Sequence, residues 1–283
     1  MNLDKFTKKV CDAYAQIKDP RVRTLIQSLI KHLHAYVKEN QLTEDEWEFT
    51  WDYLARMAKF TDADRNEFLL LADVLGVSQL IETINHQRKD NEVGYALVGP
   101  FYRANAPFRG RGNTIASDDT PGLRVKISGK VLDAKTHKPI VNAMLDTWQA
   151  ANNGFYESQD PNQPDMNLRG RFTTDENGTY ELVALMPTPY PVPTDGPVGE
   201  LLRMANRPPM RPAHIHFIVS SPNHETLVTQ IFESADNLVG QDVVFTADDS
   251  MLGNFVKTND HYELHYDFQL NPGVSVYPEA PIK

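Results

Sequence analysis

Residues 123–133 read LRVKISGKVLD. Val125, Ile127, Gly129 and Val131 alternate with Arg124, Lys126, Ser128 and Lys130, a period of two that sets the apolar residues on one face of an extended strand. Upstream the period is different. In residues 21–40, Val22, Leu25, Ile26, Leu29, Ile30, Leu33, Tyr36 and Val37 recur at three- and four-residue spacing, the apolar stripe of a helix. Phe6, Val10, Tyr14 and Ile17 give a weaker stripe over residues 3–18. Thr43 with Glu46 forms a capping box for a helix ending near Phe60. Thr61 and Asp64 cap another through Leu69–Leu71 and Val74, and a last helix follows Gly76, from Val77 to Asn85. Downstream of residue 123, Ala143–Trp148, Gly170–Thr174, Tyr180–Leu185, His214–Ser220, Leu227–Phe232, Asp242–Phe245 and His261–Leu270 read as further strands, with a turn at Asp175–Gly178. The expected class is α+β: a helical N-terminal domain, 1–90, followed by a mainly antiparallel β-sandwich, 91–283. Proline supports the boundary, since of 19 prolines only Pro20 precedes residue 90. Residues 87–123 are irregular, and a loop of that length is expected to be functional or to wrap another surface.

Composition removes several classes. With 28 Lys and Arg against 38 Asp and Glu, net charge −10, no basic surface dominates and nucleic acid is not an expected partner. No apolar run has the length of a membrane span, and the first residues (MNLDKFTKKVCDAY) lack the core of a secretory leader, so a cytoplasmic protein is expected. The single cysteine, Cys11, has no intrachain partner for a disulfide and reads as a neutral thiol in a helix. Any metal falls to His, Tyr, Asp or Glu. His32, His34 and His86 sit in or at the end of helices and read as surface residues.

The sharpest local signal is Arg211-Pro212-Ala213-His214-Ile215-His216-Phe217. On a strand, residues two apart share a face and stand about 7 Å apart, so both imidazoles can reach one metal ion. The tripeptide alone leaves another reading open, two histidines on an exposed sheet face. Two tyrosines strengthen the first. Tyr156 follows Gly154-Phe155, and Tyr190 stands in Pro187-Thr188-Pro189-Tyr190-Pro191-Val192-Pro193, where the backbone has little freedom. As structural residues they would be a core-edge ring and a loop cap. As ligands, phenolates are hard oxygen donors suited to Fe(III), and imidazole also binds iron. A cation draws off a phenol proton that otherwise titrates near pH ~10.

With these residues, the chain resembles the intradiol ring-cleavage dioxygenases: catechol, chlorocatechol and hydroxyquinol 1,2-dioxygenases. The motifs are Leu97-Val98-Gly99-Pro100-Phe101-Tyr102, Asp146-Thr147-Trp148-Gln149-Ala150 leading to Gly154-Phe155-Tyr156, Asn167-Leu168-Arg169-Gly170-Arg171-Phe172-Thr173-Thr174-Asp175, and Arg211 to His216. The resemblance implies non-haem Fe(III) held by Tyr156, Tyr190, His214 and His216, with Tyr190 and His216 axial. It implies that O2 is inserted between two hydroxylated ring carbons, that Tyr190 gives way to the diol and accepts a proton, and that Arg211 beside the ring has Gln230 as its partner. It also implies a homodimer through the helical domain, with a lipid at the dimer interface; the apolar stripe of residues 22–37 equally allows packing within one chain.

Ring choice turns on Phe68-Leu69-Leu70-Leu71-Ala72-Asp73, which resembles the hydroxyquinol branch, where a leucine and an aspartate matching Leu70 and Asp73 line the pocket. A third ring hydroxyl would give Asp73 a partner that catechol lacks. Leu97, Val98, Gly99, Pro100, Phe101, Val192, Pro193 and Val244 would add walls, with substrate lying between the helical and β parts. The expected reaction is hydroxyquinol (benzene-1,2,4-triol) to maleylacetate, with catechol or chlorocatechol as alternative substrates. Arg103 adds a cation that either faces solvent or favours a substituted or anionic ring. Two other classes compete. Ser128–Asp133, Pro139–Ala143 and Thr174–Tyr180 resemble non-catalytic β-sandwich modules of the carboxypeptidase-regulatory type, and a histidine pair also suits a zinc hydrolase, though no carboxylate stands nearby at a typical spacing.

Overall fold

The structure is a computed structural model that describes residues 2–62, 65–89 and 92–280. Asp64, expected as a cap, and the expected boundary at 90/91 lie outside the described residues. The chain divides into two compact units, Met1–Arg56 and Met57–Lys283, ahead of the last two N-terminal helices rather than after them.

The five expected helices are α1 (Leu3–Ala13), α2 (Pro20–Asn40), α3 (Glu44–Lys59), α4 (Glu67–Val74) and α5 (Val77–Asn85). Asp19 accepts from the Arg21 and Val22 N–H groups, with Pro20 at the first helical position. The Thr43–Glu46 box forms in both directions, at 3.3 Å and 2.8 Å. The cap of α4 is Asn66, which accepts from Leu69 N–H at 3.0 Å, while Thr61 takes the Glu67 N–H at 3.2 Å. Cys11 is buried in the first unit, where Gln27 Nε2 donates to its carbonyl at 2.9 Å. α2 buries none of its residues.

The second unit is a sandwich. Its strands are β1 (Arg124–Asp133), β2 (Met144–Trp148), β3 (Arg169–Thr173), β4 (Thr179–Leu185), β5 (Tyr190–Pro191), β6 (Met210–Arg211), β7 (His214–Ser220), β8 (Leu227–Glu233), β9 (Leu252–Gly253), β10 (Val256–Lys257), β11 (Tyr262–His265) and β12 (Phe268–Leu270). One sheet runs β10-β11-β1-β12, with β4 also on β1; the other runs β3-β2-β7-β8-β9; β5 pairs with β6. Pairing is mostly antiparallel, with β1–β11, β1–β12 and β8–β9 parallel. Val125, Ile127 and Val131 of β1 are fully buried, as the period of two requires. They face Ile215, Phe217 and Val219 of β7 across the core between the sheets.

Two parts of the second unit depart from the sequence reading. Asp242–Phe245 is a turn, not a strand: the Asp242 carboxylate accepts backbone N–H bonds from Val244, Thr246 and Ala247 at 3.0–3.3 Å, which curls the chain around it. A sixth helix, α6 (Pro197–Met204), stands in a segment to which the sequence pattern assigned no element, with Pro197 in its first turn. Residues 106–117 do wrap a surface, running over β3 and β4 through Arg109 N–H to Arg171 O and Ile115 N–H to Val183 O.

Candidate metal centre and substrate cavity

β7 is buried along its whole length, so its two faces do different work. Ile215, Phe217 and Val219 enter the core, and His214, His216 and Ile218 point to the opposite face of the sheet. There the register opposes Trp148 to His216 and Phe232 to His214. Trp148 stacks on the His216 ring at 4.6 Å and 11°, and Phe232 lies 5.2 Å from the His214 ring. The imidazoles are clamped by sheet register and ring contact.

The tyrosines arrive from loops. β5 pairs with β6 with Tyr190 opposite Arg211, and β6 leads through Pro212 directly into His214, so one short stretch positions three of the side chains. Tyr156 follows Gly154, which has a positive φ of 83° and whose Cβ, if present, would stand 3.2 Å from Tyr190 Cβ. Glycine there lets the two tyrosine loops meet.

Four buried donor atoms converge. Tyr156 Oη lies 3.1 Å from Tyr190 Oη and 3.0 Å from His216 Nε2; His214 Nε2 lies 3.2 Å from His216 Nε2 and 3.4 Å from Tyr190 Oη. His214 Nδ1 sits 2.6 Å from Pro212 O, so that nitrogen carries the proton and Nε2 presents a lone pair. Burial, with Arg211 next, pushes the His214 imidazole down; burial and then His214 itself push His216 well down, so both rings are neutral, the form that ligates. Burial, with Tyr190 beside it, holds the Tyr156 phenol well above its usual range. Facing lone pairs in a dry site repel, and a cation among them reverses the sign. The spacing fits as well: two donors each about 2.0–2.2 Å from one ion stand no more than about 4.4 Å apart, and the four separations here are 3.0–3.4 Å. Among the described residues no group of three His, Cys, Asp or Glu side chains forms a metal cluster; the convergent atoms here are two phenol oxygens and two imidazole nitrogens.

Beside it opens a cavity of about 630 Å³. Tyr156, Tyr190, His216 and Arg211 line it, with Leu70, Asp73, Leu97, Gly99, Pro100, Phe101, Val192, Pro193 and Val244. All belong to the second compact unit, with Leu70 and Asp73 on the helix α4 and Tyr190, Arg211 and His216 on strands, so the cavity lies between helical and β elements as expected. Val98 does not line it; that side chain packs against the cluster of Tyr102, Trp148 and Tyr156. Gln230 also stands back from the cavity, fully buried opposite His216, where its Oε1 accepts from Arg211 Nη2 at 2.8 Å and its Nε2 donates to Leu97 O at 3.2 Å. Asp73 is bonded to Ser78, and burial raises its carboxyl above the usual range.

Several contributors escaped the sequence reading. Asp242 grips Arg211 at Nε (3.1 Å) and Nη2 (3.2 Å), leaving Nη1 turned to the donor cluster, 3.5 Å from His214 Nε2. Burial works against the Asp242 carboxylate, but Arg211 outweighs it and the carboxyl sits below its usual range. The available signal was an aspartate ahead of an apolar run and a threonine, a turn pattern that alternation obscured. Behind Trp148, Tyr102 and Tyr277 both donate to Asp146, at 3.2 Å and 3.0 Å, and burial raises that carboxyl to about 6. Arg103 does not line the cavity; it pairs with Glu157 at 2.7 Å and Asp165 at 2.8 Å.

Comparison with known proteins gives the family. Residues 97–272 match the family described as Dioxygenase, and residues 19–92 match Catechol dioxygenase N terminus. A hydroxyquinol 1,2-dioxygenase of Rhizobium sp. is 40% identical over 243 residues, covering 86% of this chain and 82% of the relative. A catechol 1,2-dioxygenase of Candida albicans is 36% identical over 277 residues, covering 94% and 91%. The crystal structure of a hydroxyquinol 1,2-dioxygenase from Pseudomonas putida DLL-E4 superposes with a TM-score of 0.91 at 37% identity, covering 95% of this chain and 98% of that one. Neither a non-catalytic module nor a zinc hydrolase accounts for these matches together with two phenols among the donors: the chain belongs to the intradiol ring-cleavage dioxygenases and is an enzyme.

Proposed function

We propose that this enzyme cleaves hydroxyquinol with O2 between its adjacent hydroxylated carbons to give maleylacetate, using non-haem Fe(III) held by Tyr156, Tyr190, His214 and His216. The observation that carries the reading is the meeting of those four donors, 3.0–3.4 Å apart, at the wall of a cavity that also holds Asp73. When bound, the ferric ion supplies the charge that ionises the diol and readies its ring for O2.

The chain's own residues divide the remaining work. Tyr190 Oη, which would be a phenolate when it held the ferric ion, takes the proton of one of the two adjacent ring hydroxyls. Arg211 Nη1 offers a fixed positive charge where negative charge develops on the ring, with Asp242 and Gln230 holding the guanidinium so that little reorganisation is needed. Leu97, Phe101 and Val244 exclude water from the ring faces. Asp73 accepts from the third hydroxyl; with catechol that half-buried carboxylate loses a partner, a cost of about 1–3 kcal/mol. Catechol is the second reading, favoured by the Candida albicans relative. Comparing kcat/KM for hydroxyquinol, catechol and chlorocatechols tests the assignment: hydroxyquinol is expected to lead, and a clear catechol preference overturns it. The proposal includes a homodimer through the helical region, with a lipid at its interface, supported by the apolar but unburied stripe of α2. Sedimentation and solvent extraction of the purified protein test both.

A further inference from the structure

α6 does not line the cavity, yet it holds the helix that does. The Glu67 side chain, at the start of α4, is fully buried, and its Oε1 accepts the Val198 N–H at the start of α6 at 3.0 Å. Its Oε2 accepts from Arg65 Nε at 3.1 Å and Nη2 at 2.8 Å, and Arg65 Nη1 continues to Asp195 at 2.8 and 2.9 Å. Gly196 is in contact range of Glu67 Oε1, so any side chain there would displace the carboxylate. At the other end, Arg207, three residues past α6, donates Nη1 to Val74 O at 2.9 Å and Nη2 to Val243 O at 3.1 Å, and lies over the Phe245 ring at 4.4 Å. The eight-residue α4 is therefore fastened at its first and last residues, and Leu70 and Asp73 lie between the fastenings. Neither Glu67 nor Arg207 lines the cavity.

We propose that Glu67 and Arg207 are positioning residues for ring selectivity: through α6 they staple α4 at both ends and so set where Asp73 meets the third hydroxyl. The inference rests on the hydroxyquinol reading. A half-buried carboxylate rewards a hydroxyl only at hydrogen-bond distance, so a small shift of α4 loses that bond while leaving the donor cluster on β7 untouched. Neither side chain reaches the cavity: Glu67 acts through the Val198 N–H and Arg65, and Arg207 through the Val74 and Val243 carbonyls, while Arg65 and Asp195 do line it.

The test is steady-state kinetics of iron-loaded Glu67→Gln, Arg207→Met and Arg207→Lys on hydroxyquinol and catechol. For the first two, KM for hydroxyquinol is expected to rise about fivefold with kcat within about twofold, while catechol constants stay within about twofold, so the selectivity ratio falls about fivefold. Arg207→Lys keeps one donor and should recover part of the ratio. In an Asp73→Asn background the staple variants should no longer change the ratio. Equal losses on both substrates, or an unchanged ratio, overturn the proposal. If Glu67→Gln does not fold, Gly196→Ala, whose methyl group would displace the Glu67 carboxylate from a position outside the cavity lining, replaces it at smaller amplitude. The wild-type ratio by itself judges the hydroxyquinol reading; the change from wild type to variant judges the staple, whatever the starting value.

Discussion

The two walls of the cavity are built by different means. The wall of β7 is fixed from behind by two strand partners and by ring stacking, so His214 and His216 have no alternative arrangement that keeps the register. The α4 wall is an eight-residue helix fastened at its ends. In the proposed reading the first wall holds the metal donors, and the second, through Asp73, meets the part of the ring that differs between hydroxyquinol and catechol. Rigidity is thus spent where four atoms must meet, and adjustability is left where substrates diverge. This contrast fixes the order of expected effects.

His216→Ala removes a donor from the rigid wall and the stacking partner of Trp148. Iron content measured by metal analysis is expected to fall to near zero and turnover with it; retained iron and colour would remove His216 from the ligand set. Arg211→Met keeps the donors but removes the preorganised charge. A loss of about 10²–10³ in kcat with iron retained is expected from kinetics and metal analysis, and a change confined to KM would contradict the catalytic role.

Asp73→Asn addresses the other wall. Its kcat/KM for hydroxyquinol should fall about ten- to a hundredfold, the equivalent of losing one well-placed bond to a charged acceptor, with catechol little changed. The same variant has a pH signature. Burial raises the Asp73 carboxyl, so the folded chain holds this proton more tightly than the unfolded one. The ionised form therefore costs stability above the folded pKa, and that cost disappears as pH falls through it. Asp73→Asn should melt higher than wild type at neutral pH, with the gap closing on acidification. A gap that widens towards acid would refute the sign. Arg103→Ala is the smallest effect: about 0–1 kcal/mol of stability in thermal unfolding, and no change in ring preference, since Arg169 still holds Glu157 at 2.8 Å.

The five N-terminal helices and most sandwich strands are legible because each rests on a local pattern, a helical stripe or strand alternation; a His-x-His and a tyrosine between prolines mark three of the four convergent side chains, and Tyr156 comes only with the family resemblance. What stayed hidden was non-local. At Asp242 alternation points to a strand, and the aspartate that marks a turn is outweighed in sequence by the apolar residues after it, although three backbone N–H groups curl around its carboxylate. α6 was masked by the proline and glycine around it, although proline suits a first helical turn. Arg103 could not be placed because its partners lie 54 and 62 residues away. Val98 was grouped with its neighbours Leu97 and Gly99 by motif, yet its side chain packs behind the cavity instead.

The central claim, four donors holding Fe(III) at the wall of a cavity fitted to a triol, is tested most directly by one titration. Hydroxyquinol is added anaerobically to the iron-loaded enzyme while the visible tyrosinate band is followed, oxygen is then admitted, and the product is identified by mass. The expected result is a shift of the band on binding, uptake of one O2 per ring, and maleylacetate carrying both oxygen atoms. An enzyme that takes up iron but shows no spectral response to hydroxyquinol and yields no ring-opened acid would contradict it.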